Sequence, residues 1–372
     1  MAEPKLRKRI ACFLPNMSGG GAERVMLASI RDLVAHGHQV DLVVMDSQGE
    51  LMPLLPPEVR VIDFKTTRIR ATLMPLVRYL RRERPDALHA QMWPMTVLGV
   101  LAHRLARSDA LLMISDQVAL SSHMSSPRQL SALRWSARWA YPRADLRVMC
   151  AASAADDICK LAGLKRDSFE VITNPIEPPA TLQTSPKVEA LWGDSDGRII
   201  NIGSLKGQKN QALLLRAFAR SKARPGAKLM ILGQGDLRDS LLVLAAELGI
   251  AGRVIMPGFD IDPWPYLASA DMFVLSSDYE GFPLVLAEAM YAGLRLVSTD
   301  CPTGPAELTA DGRFGQLVPM GDAEALAAGI DAAWTQPHDP EGQRARASAV
   351  AGPAQIARYR HLLTGPNPHR RP

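Results

Sequence analysis

The stretch from Met272 to Gly293 constrains this chain more than any other. Met272-Phe273-Val274-Leu275 is a short apolar run that reads as a buried strand, and Ser276, Ser277 and Asp278 break it. Gly281 admits backbone shapes that side chains resist. Pro283 suits the first turn of a helix, where a missing N–H costs nothing. A helix is expected from Pro283 to Ala292, with Gly293 as its stop. The product is a strand–loop–helix corner whose helix-start amides favour phosphate. Glu280 stands in the loop. Glu288 lies within the helix, roughly 8 Å along the axis from Pro283 at ~1.5 Å per residue. A carboxylate repels phosphate but accepts hydrogen bonds from hydroxyls. The corner therefore fits a nucleotide-sugar, with the diphosphate at the helix start, the ribose on one Glu and the sugar near the other. The spacing alone equally allows a buried corner with two solvated glutamates.

At 372 residues the chain is long enough for about two domains, each with its own core. No apolar run approaches the ~20 residues of a membrane-spanning helix. Near the start, the run Ile10 to Leu14 behind Lys5, Arg7, Lys8 and Arg9 is too short for a signal peptide. Cys12, Cys150, Cys159 and Cys301 lack metal-like spacing, so reduced thiols and a cytoplasmic setting are expected. Charge is uneven. Residues 1–150 hold 21 Lys and Arg against 13 Asp and Glu, a net of +8; the whole chain is +5, so residues 151–372 carry −3. The basic half suits an anionic partner such as acidic lipid or a lipid-linked phosphate, or is simply a solvated surface. No RNA-binding aromatic motif or helix-turn-helix is present, which argues against nucleic acid.

The first half reads as alternating strands and helices. Arg9 to Pro15 is a strand, followed by the turn Met17-Ser18-Gly19-Gly20-Gly21, a helix to about His36 and a strand over Gln39 to Met45. In open parallel sheets ligands bind at such strand ends. The glycine spacing and the lone candidate Asp46 fit a dinucleotide site poorly. A helix over 70–84 is crowded by Arg68, Arg70, Arg78, Arg81, Arg82 and Arg84, a solvated face or one that meets anionic head groups. His89 is placed near the ligand end of its strand. Trp135 and Trp139, spaced i,i+4, mark an aromatic helix face that packs in the core or meets a membrane, the core reading being favoured. A Pro- and Thr-rich linker is expected from Glu177. In the second half, the turn Gly203-Ser204-Leu205-Lys206-Gly207-Gln208-Lys209-Asn210 sets Lys209 just before a helix, a natural diphosphate partner. A final helix is expected over 344–363.

Glu280-Gly281-Phe282-Pro283 through Glu288-Ala289-Met290 resembles the Glu-x7-Glu motif of retaining glycosyltransferases of family 4. The glycine turn, Val171-Ile172-Thr173-Asn174-Pro175 and Asp300-Cys301-Pro302-Thr303-Gly304-Pro305 extend the likeness over most of the chain. The resemblance implies an α/β GT-B fold: two Rossmann-like domains facing a cleft that closes on the substrates. The expected boundaries are an acceptor domain over 1–176, a linker over 177–195, a nucleotide-sugar domain over 196–345, a helix over 346–364 packed back on the first domain, and a tail over 365–372. It also implies a metal-independent, cofactor-free hexosyltransferase moving sugar from a nucleotide-sugar to a glycan acceptor; the basic first half adds the expectation of a lipid-linked acceptor and a peripheral place on the inner membrane face. By resemblance Glu288 takes the ribose, Glu280 lies near the donor sugar, and Lys209 meets the diphosphate beside Gly20, Gly21, Ser204, Gly281, Phe282, Pro283 and Leu284. Ser204 stands where the family carries Arg; either Lys206 compensates or a charged contact is missing. At Asp116 many members have a nearby His, so Asp116 is either the catalytic helper or a turn cap, with His123 further on. A GT-B sugar-nucleotide 2-epimerase and a degenerate, non-catalytic binder are the alternatives.

Overall fold

The computed structural model describes residues 7–122, 124 and 126–366. Lys5, His123 and residues 367–372 of the expected tail lie outside them. The chain divides into two compact units, Met1–Pro175 with Pro353–Pro372, and Ile176–Gly352.

The first unit runs β1 (Arg9–Leu14), α1 (Gly21–Ala35), β2 (Gln39–Val44), β3 (Arg60–Asp63), α2 (Leu73–Glu83), β4 (Ala87–Gln91), α3 (Met95–Ala106), β5 (Leu111–Asp116), α4 (Pro127–Ala140), β6 (Leu146–Met149), α5 (Ala152–Ala162) and β7 (Glu170–Val171). All pairs are parallel, in the order β3-β2-β1-β4-β5-β6-β7. Both faces of a parallel sheet are covered by helices, so its strands are continuous apolar runs rather than alternating ones. Ile10 to Leu14 are accordingly all fully buried. Helix α3 packs between α2 and α4.

The second unit runs α6 (Pro186–Trp192), β8 (Arg198–Ile202), α7 (Gln211–Arg220), β9 (Lys228–Leu232), α8 (Arg238–Glu247), β10 (Val254–Gly258), α9 (Trp264–Ala268), β11 (Met272–Leu275), α10 (Leu284–Ala292), β12 (Arg295–Thr299), α11 (Pro305–Thr309), β13 (Gln316–Val318), α12 (Ala323–Thr335) and α13 (Pro340–Ala351). Its six parallel strands follow the order β10-β9-β8-β11-β12-β13. Leu214, Phe218, Leu229, Val274 and Ile330 are among the buried side chains that fill its core.

Several expectations are corrected. The residues assigned to a linker over 177–195 include α6, capped by the Ser185 hydroxyl, which accepts from the Val188 amide at 3.3 Å. Trp192 is fully buried, and its Nε1–H donates to Ser269 Oγ at 2.8 Å, so this helix belongs to the second unit's core. The final helix is two helices, α13 and α14 (Pro353–Thr364). Pro353 has no N–H to continue the ladder and drives Gly352 out of helical geometry, to ψ −175. Helix α14 packs on α1; Tyr359 is fully buried with its ring 5.8 Å from that of His89, and Arg360 meets Asp32 at 3.0 Å. The strand that the family resemblance puts over 171–176 ends at Val171. The core reading of Trp135 and Trp139 is overturned: they are 71% and 37% exposed. Among the described residues no helix is long and apolar enough to cross a membrane.

Candidate functional site

In the second unit β8 sits between β9 and β11, so the chain reverses its direction across the sheet there. Loops that follow strands on the two sides of such a switch point diverge and leave a crevice at their carboxyl ends. The loops after β8 and β11 are the ones that carry Lys209 and Glu280. Five hydrogen bonds stitch them together. The Asp278 amide donates to Gln208 O at 2.9 Å, Gln208 Nε2 to Tyr279 O at 2.8 Å, Asn210 Nδ2 to Asp278 Oδ1 at 2.8 Å, and Ser276 Oγ to Lys209 O at 2.8 Å. The fifth is an ion pair: Lys209 Nζ lies 2.6 Å from Glu280 Oε1, with the side chains 16% and 8% exposed. Ser277 Oγ donates to the same oxygen at 2.6 Å.

The end of β12 and the loop after it brace this pair. Thr303 Oγ1 donates to the Glu280 carbonyl, and Thr299 Oγ1 donates to the Ser277 carbonyl at 2.6 Å. Gly304 has φ +94, and a Cβ there would stand 2.5 Å from Pro283 Cδ and 2.8 Å from Gly281 O. Only glycine allows this loop to approach the start of α10 so closely.

Helix α10 starts at Leu284, with Pro283 as its N-cap and no side-chain cap. Pro283 itself carries no N–H, so the donors at this end are the amides of Leu284 and Val285, which have no partner within the helix. Gly281, Phe282, Pro283 and Leu284 are all buried, and Glu288 is 4% exposed one turn into the helix. Ser204 is exposed, and its carbonyl accepts from Gln211 Nε2 at 3.1 Å. Lys206 is exposed at the start of the short turn that carries Lys209. Glu280, Lys209, Ser204, Gly281, Phe282, Pro283, Leu284 and Glu288 thus all belong to the second unit. An ammonium and an uncapped helix start attract an anion, while the two carboxylates accept hydroxyl protons.

Gly20, Gly21 and Asp116 belong to the first unit. Gly20 is the N-cap of α1 and Gly21 its first residue, at the end of β1 where the strand order reverses toward β4. Carboxylates already flank this turn: Gly19 N donates to Glu50 Oε2 at 3.1 Å, and a Cβ on Gly20 would stand 2.6 Å from Glu23 Oε2. Asp116 ends β5 and is 1% exposed. One of its oxygens accepts the Trp93 amide at 2.7 Å and the other the Tyr141 hydroxyl at 2.5 Å. Burial pushes its carboxyl up to about 6, although both hydrogen bonds pull it down. Both oxygens thus take an interior donor, the arrangement of the turn-capping alternative, and the residue positions Trp93. His89 is likewise interior, not at a ligand end. It is fully buried, Nε2 is 2.8 Å from Ser115 Oγ, and desolvation lowers its pKa to about 3. Sequence reading missed Ser277, because a serine beside a strand end signals only a turn, and the support from Thr299.

Two family models match the chain. Residues 19–178 match "Glycosyltransferase Family 4", and residues 187–350 match "Glycosyl transferases group 1". A Campylobacter jejuni protein named N-acetylgalactosamine-N,N'-diacetylbacillosaminyl-diphospho-undecaprenol 4-alpha-N-acetylgalactosaminyltransferase is 26% identical over 87% of this chain and 89% of its own. The lipopolysaccharide core biosynthesis glycosyltransferase LpsE of Rhizobium meliloti is 29% identical over 84% of this chain and 85% of its own. The structure of Anabaena HepE in complex with UDP-glucose aligns with a TM-score of 0.80 at 19% identity, over 96% of this chain and 100% of that one. Fold, family models and relatives converge on one assignment: the chain is a glycosyltransferase of the GT-B fold, with a family 4 domain at its N-terminus and a group 1 domain at its C-terminus.

Proposed function

We propose that the chain transfers a hexosyl residue, with retention of configuration and without a metal, from a nucleotide-sugar to a lipid-linked or polysaccharide-precursor hydroxyl at the inner face of the membrane. The observation that carries this reading is the Lys209–Glu280 pair, held at the switch point beside the uncapped start of α10. The α10 amides and Lys209 take the diphosphate, Glu288 the ribose, and Glu280 faces the donor sugar. The bond from the anomeric carbon to the phosphate oxygen breaks as the acceptor oxygen bonds to that carbon from the same face, and the acceptor's proton passes to the departing phosphate oxygen. Preorganised cations and amides stabilise the departing diphosphate as its charge grows, a role worth ~10²–10³ in rate for a single donor.

HepE was crystallised with UDP-glucose, and the Campylobacter relative is named for a diphospho-undecaprenol acceptor; both support a nucleotide-sugar donor and a lipid-linked acceptor here. The exposed Arg68, Arg70, Arg78, Arg81, Arg82 and Arg84 support contact with anionic lipid. The relatives' names favour transfer over epimerisation. The test is a panel of nucleotide-sugars incubated with a bacterial membrane extract and scored for nucleoside diphosphate release. Release that requires the extract is expected. An isomeric nucleotide-sugar formed without acceptor would make the chain an epimerase, and no product with any donor would make it a binding protein.

A further inference from the structure

The first unit contains an apolar pocket of about 220 Å³, open to the surface and lined chiefly by Ile69, Trp93, Val97, Leu98, Leu101 and Ala132. Its polar atoms are already satisfied. Trp93 Nε1–H donates to Ser136 Oγ at 3.0 Å, and that hydroxyl donates onward to Leu133 O at 3.1 Å. A water needs two to four polar partners, which these apolar walls do not offer. The pocket therefore suits hydrocarbon.

The surroundings restrict what kind of hydrocarbon. On α4, Ala132, Trp135, Ser136 and Trp139 fall at i, i+3, i+4 and i+7, one continuous helix stripe. The stripe leads out of the pocket to Trp135 and Trp139, the exposed indoles. The amphipathic indole ring suits the boundary between lipid and water. Arg128, Arg134 and Arg138 on α4 are exposed, as are Arg68 and Arg70 on either side of Ile69, and no Asp or Glu occurs between Gln117 and Ala144. An apolar hole with a cationic rim matches an amphiphile that joins a hydrocarbon chain to an anionic head. Trp93 and Pro94 follow Gln91, the last residue of β4, after one intervening residue, so this wall of the pocket stands at the carboxyl end of the sheet.

We infer that this pocket holds the hydrocarbon segment of a lipid-phosphate acceptor next to its phosphate; the inference rests on the lipid-linked acceptor proposed above. Asp116 then acts at one remove, holding the Trp93 backbone at the pocket wall.

The test uses the full chain with dodecyl phosphate, below its micellar concentration, and butyl phosphate as probes in calorimetry. Ala132→Phe fills the pocket from an exposed helix position, and Val97→Phe fills it from α3. The wild type is expected to bind dodecyl phosphate about ten-fold or more tightly than butyl phosphate, since each buried methylene adds favourable transfer energy. Both variants should lose that preference yet bind UDP as the wild type does, which shows that they are folded. Equal binding of the two phosphates by the wild type, or an unchanged preference in a folded variant, would overturn the inference. A wild type that dimerises in light scattering and is made monomeric by Ala132→Phe would also overturn it, because the pocket would then be a self-interface. The chain-length preference is read without any transfer assay, so a failure of the acceptor reading and a failure of the pocket appear in different experiments.

Discussion

Lys209→Ala separates the two roles that the structure gives one ammonium. In the free protein Lys209 Nζ sits 2.6 Å from Glu280 Oε1, and the carboxylate is nearly buried. Removing one partner of a buried pair costs ~3–5 kcal/mol because the other charge is left behind. Here Ser277 still donates to Glu280, and Lys209 is 16% exposed, so water can replace it in part. The expected loss is then about 2–3 kcal/mol, or about 5–10 °C in the melting of a unit this size. Glu280→Gln keeps an acceptor for Ser277 and should cost less. The double variant removes both charges together, so it should be more stable than the summed single losses by over 1 kcal/mol. In catalysis Lys209→Ala should lower kcat on the order of 10²–10³ and raise donor KM far less, because the charge to be met grows in the transition state. Glu280→Gln should slow transfer yet tighten UDP binding, since the diphosphate no longer competes with Glu280 for the ammonium. Denaturant melts of the three variants with steady-state kinetics decide the matter. Additivity within ~0.5 kcal/mol would deny the coupling, and a change in KM alone would remove Lys209 from leaving-group stabilisation.

Asp116 has a folded pKa of about 6, above its unfolded value of ~3.9, so its stability contribution is complete below pH ~4 and is lost as pH rises through 6. Against Asp116→Asn, wild-type stability should fall by about 2 kcal/mol from pH 4 to pH 7; a difference that does not vary with pH in denaturant melts would contradict this. Gly304→Ala forces a side chain into φ +94 against Pro283 and should cost about 1–3 kcal/mol while also weakening UDP binding by calorimetry; a neutral result would mean that the loop has room to move. Replacing Arg78, Arg81 and Arg82 together with Gln should weaken binding to anionic vesicles by about one to two orders of magnitude at low salt, at ~1 kcal/mol per charge. Equal sedimentation of the variant and the wild type would leave these arginines as a solvated face.

The second unit was the more legible in sequence, because its site is local. Strand, loop and helix lie within Met272–Gly293, and each has its own signal: an apolar run, a glycine, a proline and a stopping glycine. Lys209 was legible for the same reason, standing just ahead of a helix. Its pairing with Glu280 was not, since that depends on β8 and β11 being neighbours across 71 residues of sequence. The surroundings of Asp116 were not legible, because the burial of its carboxylate depends on Tyr141 and Trp93 being folded onto it. Trp135 and Trp139 misled: an i,i+4 aromatic pair reads as core, but Leu133 and Ala137 take the inward face of α4. Helix α3 escaped notice although its residues line the pocket, because an almost wholly apolar segment has no face to read.

The account's central claim is that the start of α10, Lys209 and Glu288 hold the donor's nucleoside diphosphate. Calorimetric titration of UDP into the wild type and Glu288→Ala tests it most directly. Saturable one-to-one binding is expected for the wild type. The folded variant should bind more weakly by about 1–3 kcal/mol, the loss of a charge-assisted hydrogen bond to a ribose hydroxyl. Equal affinity of the two proteins for UDP would contradict the assignment of Glu288.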